Sequence, residues 1–253
     1  MVCKNCHEVV SGNYCASCGQ STNVGRISTS SVFSLISEGL FQVNKGLFFT
    51  ILAIFKRPGH SIREFIEGKR KKYFKPAAYV MLLATIYVLC ARFLGTPTFL
   101  EDAVRGFMSV VEDSEKEQRY LIIRPMVDWI SGNVAYAIVT LIPFFSLATF
   151  IAFAKQRLNY FEHLVLNAYI AGHQSLFYIL HLMIQAIFSI SWEYFDVLPV
   201  LLSVGYRIWT YYQFFSTKKS VYTLAYTILA YFMFFLAIEL FLLISIVISI
   251  VFL

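Results

Sequence analysis

Four cysteines near the start of the chain have a spacing that could do chemistry. Cys3 and Cys6 form one CxxC pair, and Cys15 and Cys18 form a second pair after eight intervening residues. Two such pairs can offer four thiolates to one tetrahedral ion, which is the ligand set of structural zinc sites. The spacing therefore predicts a zinc ribbon over residues 1–20, with Zn²⁺ as its cofactor.

Two other chemistries could use the same cysteines. Cys3–His7 is a CxxCH string, which attaches c-type haem in exported proteins but leaves the second pair unexplained. Two disulfides would suit an oxidising compartment, yet no secretory signal is visible before the first apolar run. We favour the zinc interpretation in a reducing compartment.

The composition places the rest of the chain in a membrane. The 253 residues are 58% hydrophobic and 14% charged, with a mean hydropathy of +0.65. Soluble domains average about 45–50% apolar and about 25% charged residues, so a soluble enzyme, a disordered protein and a disulfide scaffold are all disfavoured. The positive charge is concentrated in residues 1–76, which carry eleven Lys/Arg and four Asp/Glu.

Five apolar segments predict an all-α integral membrane protein, a five-span helical bundle over residues 77–253. The predicted spans are 77–94, 132–154, 164–190, 194–215 and 221–252. Fifteen Lys/Arg lie in the N-terminal arm and in the loops on its side, whereas the two opposite loops carry four. The positive-inside rule therefore places the N-terminus in the cytoplasm and the C-terminus in the periplasm.

Residues 21–76 connect the ribbon to the spans. Residues 21–31 are rich in Ser and Thr and predict a flexible linker, and residues 32–76 predict interfacial amphipathic helices. The run 47–55 is too short to cross a membrane, so it is either interfacial, which we favour, or re-entrant. Ser61–Glu64 has the pattern of a capping box that would open a short helix, and Gly68 would end that helix.

A basic cluster lies directly before the first predicted span. Cations at this position anchor the topology and attract anionic lipid headgroups, by about 1 kcal/mol each. Nucleic acid is a less expected partner, because the cluster abuts a spanning helix. The cluster consists of Lys69, Arg70, Lys71, Lys72 and Lys75.

Six polar residues share one face of the third predicted span, within about 60° at the helical period. Such a stripe must avoid lipid, so it forms either a hydrogen-bonded seam between helices, which we favour, or a path for protons or a substrate. His173 lies about 80° from the stripe. The stripe consists of His163, Asn167, Gln174, Tyr178, His181 and Gln185.

Three charged residues fall inside the predicted spans. Arg92 and Glu239 have similar predicted depths, which predicts an ion pair between them. Arg207 is expected to reach toward the cytoplasmic interface beside neighbouring aromatic residues. Glu162 and His163 are adjacent and diverge on a helix, and no nucleophile motif accompanies them, so we predict no enzymatic activity.

Several segments together resemble an uncharacterised family of bacterial membrane proteins with an N-terminal zinc ribbon, a domain of unknown function. The resemblance rests on the cysteine head, on RPG (57–59), on REFIEGKRKKYFKP (63–76) and on NYFEHLVLNAY (159–169). It implies a bacterial inner-membrane location and a multi-span layout, and it carries no established activity. The topology alone is also similar to the five-span Yip family.

These observations lead to three functional hypotheses. The first is an inner-membrane adaptor or scaffold, whose ribbon and basic arm engage a cytoplasmic protein partner or anionic lipid. The second is a transporter or channel with a polar path along the third span. The third is a membrane enzyme that acts on lipid, which would require a pocket joining Glu162 and His163 to the headgroup level.

Overall fold

The computed structural model describes residues 1–29, 46–112, 117–188, 197–215 and 220–252. The beginning of the segment 32–76, where the first interfacial amphipathic helix is predicted, lies outside these residues. The regular elements that are described are helices, apart from two isolated β-bridges in the ribbon. The helices are α1 (Gly46–Lys56), α2 (Pro58–Glu67), α3 (Pro76–Leu94), α4 (Phe99–Glu112), α5 (Glu117–Gly132), α6 (Val134–Ala152), α7 (Tyr160–Phe188), α8 (Val197–Phe215) and α9 (Ser220–Phe252), with a 3₁₀ turn at Ala154–Gln156.

Within this described part, four helices are long and apolar enough to cross a membrane. They are α3, α6, α7 and the Val221–Phe241 portion of α9. The length and composition of these four helices therefore agree with the prediction of a helical, multi-pass membrane protein. The fourth predicted span is helical as α8, but it is not one of these four helices.

Helix α7 lies at the centre of the bundle. It has 29 residues and packs closely on α3, because Gly172 allows the two backbones to approach. A Cβ at Gly172 would lie 2.7 Å from the ring of Tyr79 and 3.0 Å from Cα of Val80. Aromatic side chains fill the core beside this contact, with the Tyr169 ring 5.4 Å from that of Phe65. Close packing thus fixes α7 against α3.

Helix α8 runs antiparallel to α7 along its length. Near its middle, the Ser203 carbonyl accepts a hydrogen bond of 2.8 Å from the Gln174 amide. At its end, the Phe215 ring stacks on the His163 ring at 5.8 Å. Between these points, Arg207 and Tyr211 of α8 donate to Gln174 and Asn167 of α7, so part of the polar content of α8 faces α7.

Helices α1 and α2 form a pair at the end of the bundle that carries residues 1–29, which we call the ribbon side. The outward face of α1 is apolar, with Phe48, Leu52 and Phe55 exposed, whereas Thr50 and Ile54 are buried. An exposed apolar face beside a basic segment is typical of a helix at the lipid interface. This arrangement favours the interfacial alternative for 47–55.

Helix α2 begins at Pro58, so the capping box predicted at Ser61 is wrong. Proline is favoured at the first helical position because the N–H it lacks would have no partner within the helix there. The Ser61 hydroxyl instead donates to the Ala53 carbonyl at 2.9 Å and ties α2 to α1. Gly68 ends α2 as predicted, with a φ of 120°.

The predicted ion pair between Arg92 and Glu239 is also wrong. Gly95 ends α3 with a φ of 66° and turns the chain back, which brings the first turn of α4 to Arg92. Arg92 therefore pairs with Glu101, with an N–O distance of 2.8 Å. Glu239 lies exposed on α9. Arg92 and Glu239 have similar predicted depths in the membrane, but the segment that follows α3 brings a nearer carboxylate, that of Glu101, to Arg92.

Candidate functional site

The four cysteines lie on two knuckles with the same backbone plan, twelve positions apart. Bridges Val2–Val9 and Tyr14–Ser21 close the two knuckles. Within each knuckle, the N–H of the first cysteine donates to the carbonyl five residues later, Glu8 or Gln20, and its own carbonyl accepts from the residue after the second cysteine. The two turns therefore present their sulfurs in equivalent ways.

The residue that follows the second cysteine has a left-handed backbone in both knuckles. Gly19 has a φ of 69° and suits this conformation, whereas His7 occupies the same place in the first knuckle with a φ of 66°. His7 is exposed and lies outside the cluster of possible metal ligands, which consists of the four cysteines. The CxxCH string is thus part of a turn in this fold.

The four sulfur atoms all lie within 4.8 Å of one another. The Cys3 and Cys18 sulfurs are 3.7 Å apart, and those of Cys6 and Cys15 are 3.4 Å apart. A tetrahedral ion with Zn–S bonds of about 2.3 Å requires sulfurs roughly 3.8 Å apart, whereas a disulfide requires about 2.0 Å. The cluster can therefore bind a metal ion, and each close pair joins the two knuckles.

The protonation of the thiols explains why a cation would organise this cluster. Backbone N–H groups of Cys6 and Asn5 stabilise the Cys3 thiolate and lower its pKa to about 7. The Glu8 N–H favours the Cys6 thiolate, but burial and the neighbouring thiols outweigh it and raise the pKa of Cys6 to about 12. A bound cation would displace the remaining protons, so metal affinity should fall as the pH falls.

Gln20 attaches the ribbon to the segment that precedes the first span. Its side-chain amide donates to the Gly68 carbonyl at 2.9 Å. Its side-chain oxygen accepts from the backbone N–H groups of Arg70 and Lys71, at 3.0 Å each. Gln20 is buried, so these three bonds replace those that its side-chain amide would make with water. The metal cluster is consequently held in one position on the membrane domain.

The segment after the ribbon also lies against the bundle, in contrast to the predicted flexible linker. Arg26 forms an ion pair with Glu162 at 2.8 Å, which raises the pKa of the Arg26 guanidinium. The Asn159 amide donates to the Ile27 carbonyl at 2.9 Å, and the Ile27 side chain lies in the main apolar core. Specific contacts by Arg26 and Ile27 thus override the loop character of the Ser/Thr-rich composition.

The basic cluster contributes to the same junction. Lys72 donates to Glu64 at 3.0 Å, and Arg70 donates to the Gly25 carbonyl at 2.9 Å. Burial disfavours the Glu64 carboxylate, but bonds from Lys72 and Tyr73 outweigh this and lower its pKa. Lys69, Arg70, Lys72 and Lys75 are half-buried, whereas Lys71 is exposed. Part of the cluster therefore holds the protein together rather than facing lipid.

The ribbon-side half of the polar stripe forms a buried hydrogen-bonded network. The Asn167 amide donates to the Thr149 hydroxyl at 2.9 Å, and its oxygen accepts from the Tyr211 hydroxyl at 2.7 Å. His163 Nδ1 lies 3.1 Å from the same Thr149 oxygen. Three helices, α6, α7 and α8, are joined at this point, as a seam between helices requires.

The other half of the stripe lines open space. Tyr178, His181 and Gln185 line a cavity of about 480 Å³, which we call the outer cavity. Gln174 lies between the two halves and lines a second cavity of about 250 Å³, which we call the inner cavity. The sequence-predicted stripe therefore divides into a packed ribbon-side half and a far half that faces two cavities.

Two further polar residues have surroundings that the sequence did not predict. Arg207 is buried rather than directed to an interface: it donates to Gln174 at 2.8 Å, and its guanidinium lies 4.0 Å from the Phe145 ring centre. His173 is buried between Tyr79, whose hydroxyl is 3.0 Å from Nδ1, and the stacked Tyr206 ring. Arg207 follows Ser203 by four residues and precedes Thr210 by three, so the three polar residues share one face of the helix. This spacing indicates that Arg207 faces the inside of the bundle.

Glu162 and His163 have different surroundings. Glu162 lines a ribbon-side pocket of about 520 Å³, where its carboxylate accepts from Arg26 and from the Asn159 backbone. His163 is fully buried and packs on the Phe150 and Phe215 rings. The pocket therefore brings Glu162, but not His163, to the ribbon-side surface.

Residues 44–88 match the model of a family described as a protein of unknown function (DUF3667). This stretch contains α1, α2, the basic cluster and the first two thirds of α3, so it covers the junction on which the ribbon is held. The match is consistent with the resemblance to an uncharacterised family. No curated protein and no solved structure matches the chain.

Proposed function

We propose that the chain is a non-enzymatic adaptor of the bacterial inner membrane, which presents a zinc ribbon to a cytoplasmic protein partner. The observation that carries this proposal is the attachment of the four-cysteine cluster to the membrane domain through Gln20. Four thiolates would fill the coordination shell of Zn²⁺ and leave no open position for a substrate, which suits a structural role.

The proposed topology has five spans, with α8 as the fourth. Helix α8 has 19 residues and its contacts follow α7 from Gln174 to His163, so the two helices cross the same depth. With five spans, the ends of the chain lie on opposite sides of the membrane. The Lys/Arg distribution then favours a cytoplasmic ribbon and a periplasmic C-terminus.

The proposed partner surface is the apolar edge of the ribbon. Val2 and Val9 form one bridge pair and are 58% and 84% exposed, and Tyr14 of the second bridge is 69% exposed. A ribbon of twenty residues has little core of its own, so the apolar side chains outside that core are available to another protein. We expect anionic lipid to contact Lys71 and the apolar face of α1 beside the ribbon.

A substitution at the ribbon edge tests this proposal. The full-length chain and its Val9→Asp variant would be purified from membranes in a mild detergent, and the co-purifying proteins would be quantified by mass spectrometry. We expect a cytoplasmic protein that is present with the original chain and depleted about tenfold or more with Val9→Asp, because a charge would be buried in an apolar contact.

The matched control is Ser11→Asp, which adds the same charge to an exposed position between the knuckles. Zinc content should be equal in all three proteins, so that any loss of the partner reports the surface rather than the fold. Equal recovery of every cytoplasmic protein with the original chain and with Val9→Asp would contradict the adaptor proposal.

The cavities favour a transporter as the second candidate. The far half of the stripe faces two cavities, and the network around Asn167 closes the ribbon-side half. A carrier with a closed gate on one side would have this arrangement. The packed network is equally expected of a structural seam, and we therefore rank transport below the adaptor.

Replacement of His181 by Leu distinguishes the two candidates. His181 is buried at the outer cavity, and the change removes a polar, titratable group while keeping an apolar span. For an adaptor we expect unchanged co-purification of the partner and a small stability loss of about 1 kcal/mol. Normal abundance with complete loss of the cellular function would instead favour transport, since a path would have lost a proton-binding group.

A further inference from the structure

The inner cavity contains a buried cation with unused hydrogen-bond donors. Arg207 is only 8% exposed, and its Nη2 donates to Gln174. Its Nε and Nη1 atoms are buried and make no well-formed hydrogen bond among the described residues; the Tyr211 hydroxyl lies near the guanidinium but donates to Asn167. Over the same residues, no ion pair joins Arg207 to a carboxylate. The charge is therefore not neutralised by the described part of the chain.

The contacts that Arg207 does make compensate its charge only in part. The Phe145 ring lies 4.0 Å from the guanidinium carbon and the Tyr231 ring lies 5.7 Å from it, so both ring faces can attract the cation. Ring faces do not replace the hydrogen bonds that a guanidinium makes in water. A buried cation inside a membrane bundle is costly unless an anion or strong acceptors complete its surroundings.

The shape of the inner cavity indicates what could complete them. Its walls come from α3, α4, α6, α7, α8 and α9. Its polar lining includes one charged residue, Arg207, the amides Asn167 and Gln174, and the hydroxyl-bearing residues Tyr87, Ser175, Tyr178 and Tyr231. Most of the remaining lining is apolar, including Ile138, Leu141 and Phe234. A cavity with a single cation and mostly apolar walls is complementary to an anion that carries a hydrocarbon chain.

The outer cavity adjoins the inner cavity. It shares Tyr87, Phe99 and Tyr178 with the inner cavity, so the two lie side by side. Its lining extends to Thr96 and Pro97, which lie between α3 and α4 at the far end of the bundle. A molecule that enters from that end avoids the packed network at Asn167, but it passes Asp102 and the contacting rings of Tyr87, Phe99 and Tyr178, which must move to let it through.

We propose that the inner cavity binds a single-chain amphiphile with a carboxylate head, whose carboxylate pairs with Arg207 and whose chain lies against Ile138, Leu141 and Phe234. The site does not depend on the adaptor proposal, because it lies within the bundle and shares no residue with the ribbon. An inorganic anion would leave the apolar walls unfilled, which is why a hydrocarbon chain is part of the assignment.

Binding of radiolabelled dodecanoate to the purified full-length chain tests this site. The protein would be captured on scintillation-proximity beads in a nonionic detergent, and a detergent blank would be subtracted. We expect saturable binding that unlabelled dodecanoate displaces, and that dodecanol and acetate do not. Dodecanol has the chain without the charge, and acetate has the charge without the chain.

Arg207→Met removes the cation and keeps an unbranched side chain, and it should weaken dodecanoate binding roughly 10- to 100-fold, as expected for a lost charge-assisted hydrogen bond. Arg207→Lys should recover part of the affinity. A thermal unfolding curve would establish that each variant is folded. If Arg207→Met does not fold, Leu141→Trp provides the test, because it narrows the cavity and leaves the charge in place.

Three results would overturn the proposal. The first is the absence of saturable dodecanoate binding to the original chain. The second is equal affinity in a folded Arg207→Met protein, or full affinity in Leu141→Trp. The third is displacement by dodecanol as effective as displacement by dodecanoate. Dodecyl phosphate would be tested as a further competitor, and stronger displacement by it than by dodecanoate would contradict the carboxylate assignment.

Discussion

Replacing Cys15 and Cys18 together with serine should reduce bound zinc from about one ion per chain to nearly none. The two changes remove two of the four ligands and one member of each close sulfur pair, Cys3–Cys18 and Cys6–Cys15. Serine is a poor zinc ligand, and the two remaining thiols cannot build a closed tetrahedral site. The metal content would be measured by elemental analysis of protein purified without added metal.

Cys90→Ser is the matched control for this prediction. Cys90 is the fifth cysteine, lies half-buried in α3 and is not part of the cluster, so its replacement should leave the zinc content unchanged. Full zinc content after loss of both Cys15 and Cys18 would contradict the assignment. A covalent haem spectrum from the original chain would contradict it as well, and would restore the CxxCH interpretation.

Gly59→Ala should destabilise the membrane domain by about 3 kcal/mol or more, although it adds a single methyl group. Gly59 is the second residue of α2 and touches the backbone of α8. A Cβ there would lie 2.4 Å from the Phe214 nitrogen and 2.6 Å from the Thr210 oxygen. These are backbone atoms that cannot rotate away, so α2 would have to move from α8 and lose the 3.2 Å bond between the Gly59 N–H and the Gln213 side chain.

The apparent unfolding temperature in detergent would measure this effect, and we expect it to fall by roughly 5–10 °C. Gly205→Ala is the control, because Gly205 lies within α8 and a Cβ there meets nothing within 4 Å. Alanine is the better helix former, so this variant should be as stable as the original chain or slightly more stable. A Gly59→Ala protein as stable as Gly205→Ala would contradict the close packing of α2 on α8.

The features that were predicted from sequence are those set by residue type and local spacing. The paired CxxC spacing predicted the cysteine cluster, and Gly68 predicted the end of α2. The helical period placed His163, Asn167 and Gln174 on one face, and all three are buried between helices. In each case the information lies within a few turns of one element.

The features that were missed depend on contacts between distant parts of the chain. Gln20 binds backbone groups of Gly68, Arg70 and Lys71, and backbone groups have no residue-type signal in a sequence. The Ser/Thr-rich composition of residues 21–31 predicts a loop, and it does not reveal that Arg26 can reach Glu162. Composition describes the local preference of a segment, whereas its partner is set by the tertiary fold.

The errors for Arg92 and Arg207 have a related cause. The depth of a residue within its own span contains no information on the loop that follows the span. The turn at Gly95 therefore brings Glu101 to Arg92 without any signal in that depth. For Arg207 the hydropathy of the span gave a depth but not a direction, whereas its spacing from Ser203 and Thr210 indicates the inward face. Charged residues in spans are better assigned by helix face than by depth alone.

Amide hydrogen exchange at Arg70 and Lys71 can show whether Gln20 holds a metal-folded ribbon on the membrane domain. Both N–H groups donate to the Gln20 side chain at 3.0 Å. Exchange would be compared in the zinc-loaded chain, in the chelator-stripped chain and in a zinc-loaded Gln20→Ala variant, with amides in the centre of α7 as the internal reference.

We predict that both amides are protected in the zinc-loaded chain and exchange about tenfold faster or more in the other two samples, because each loses the acceptor that protects them. The reference amides of α7 should exchange equally in all three samples. Equal exchange at Arg70 and Lys71 with and without metal would contradict this arrangement: if both amides are protected, the ribbon stays attached without metal, and if both exchange fast, Gln20 does not hold it.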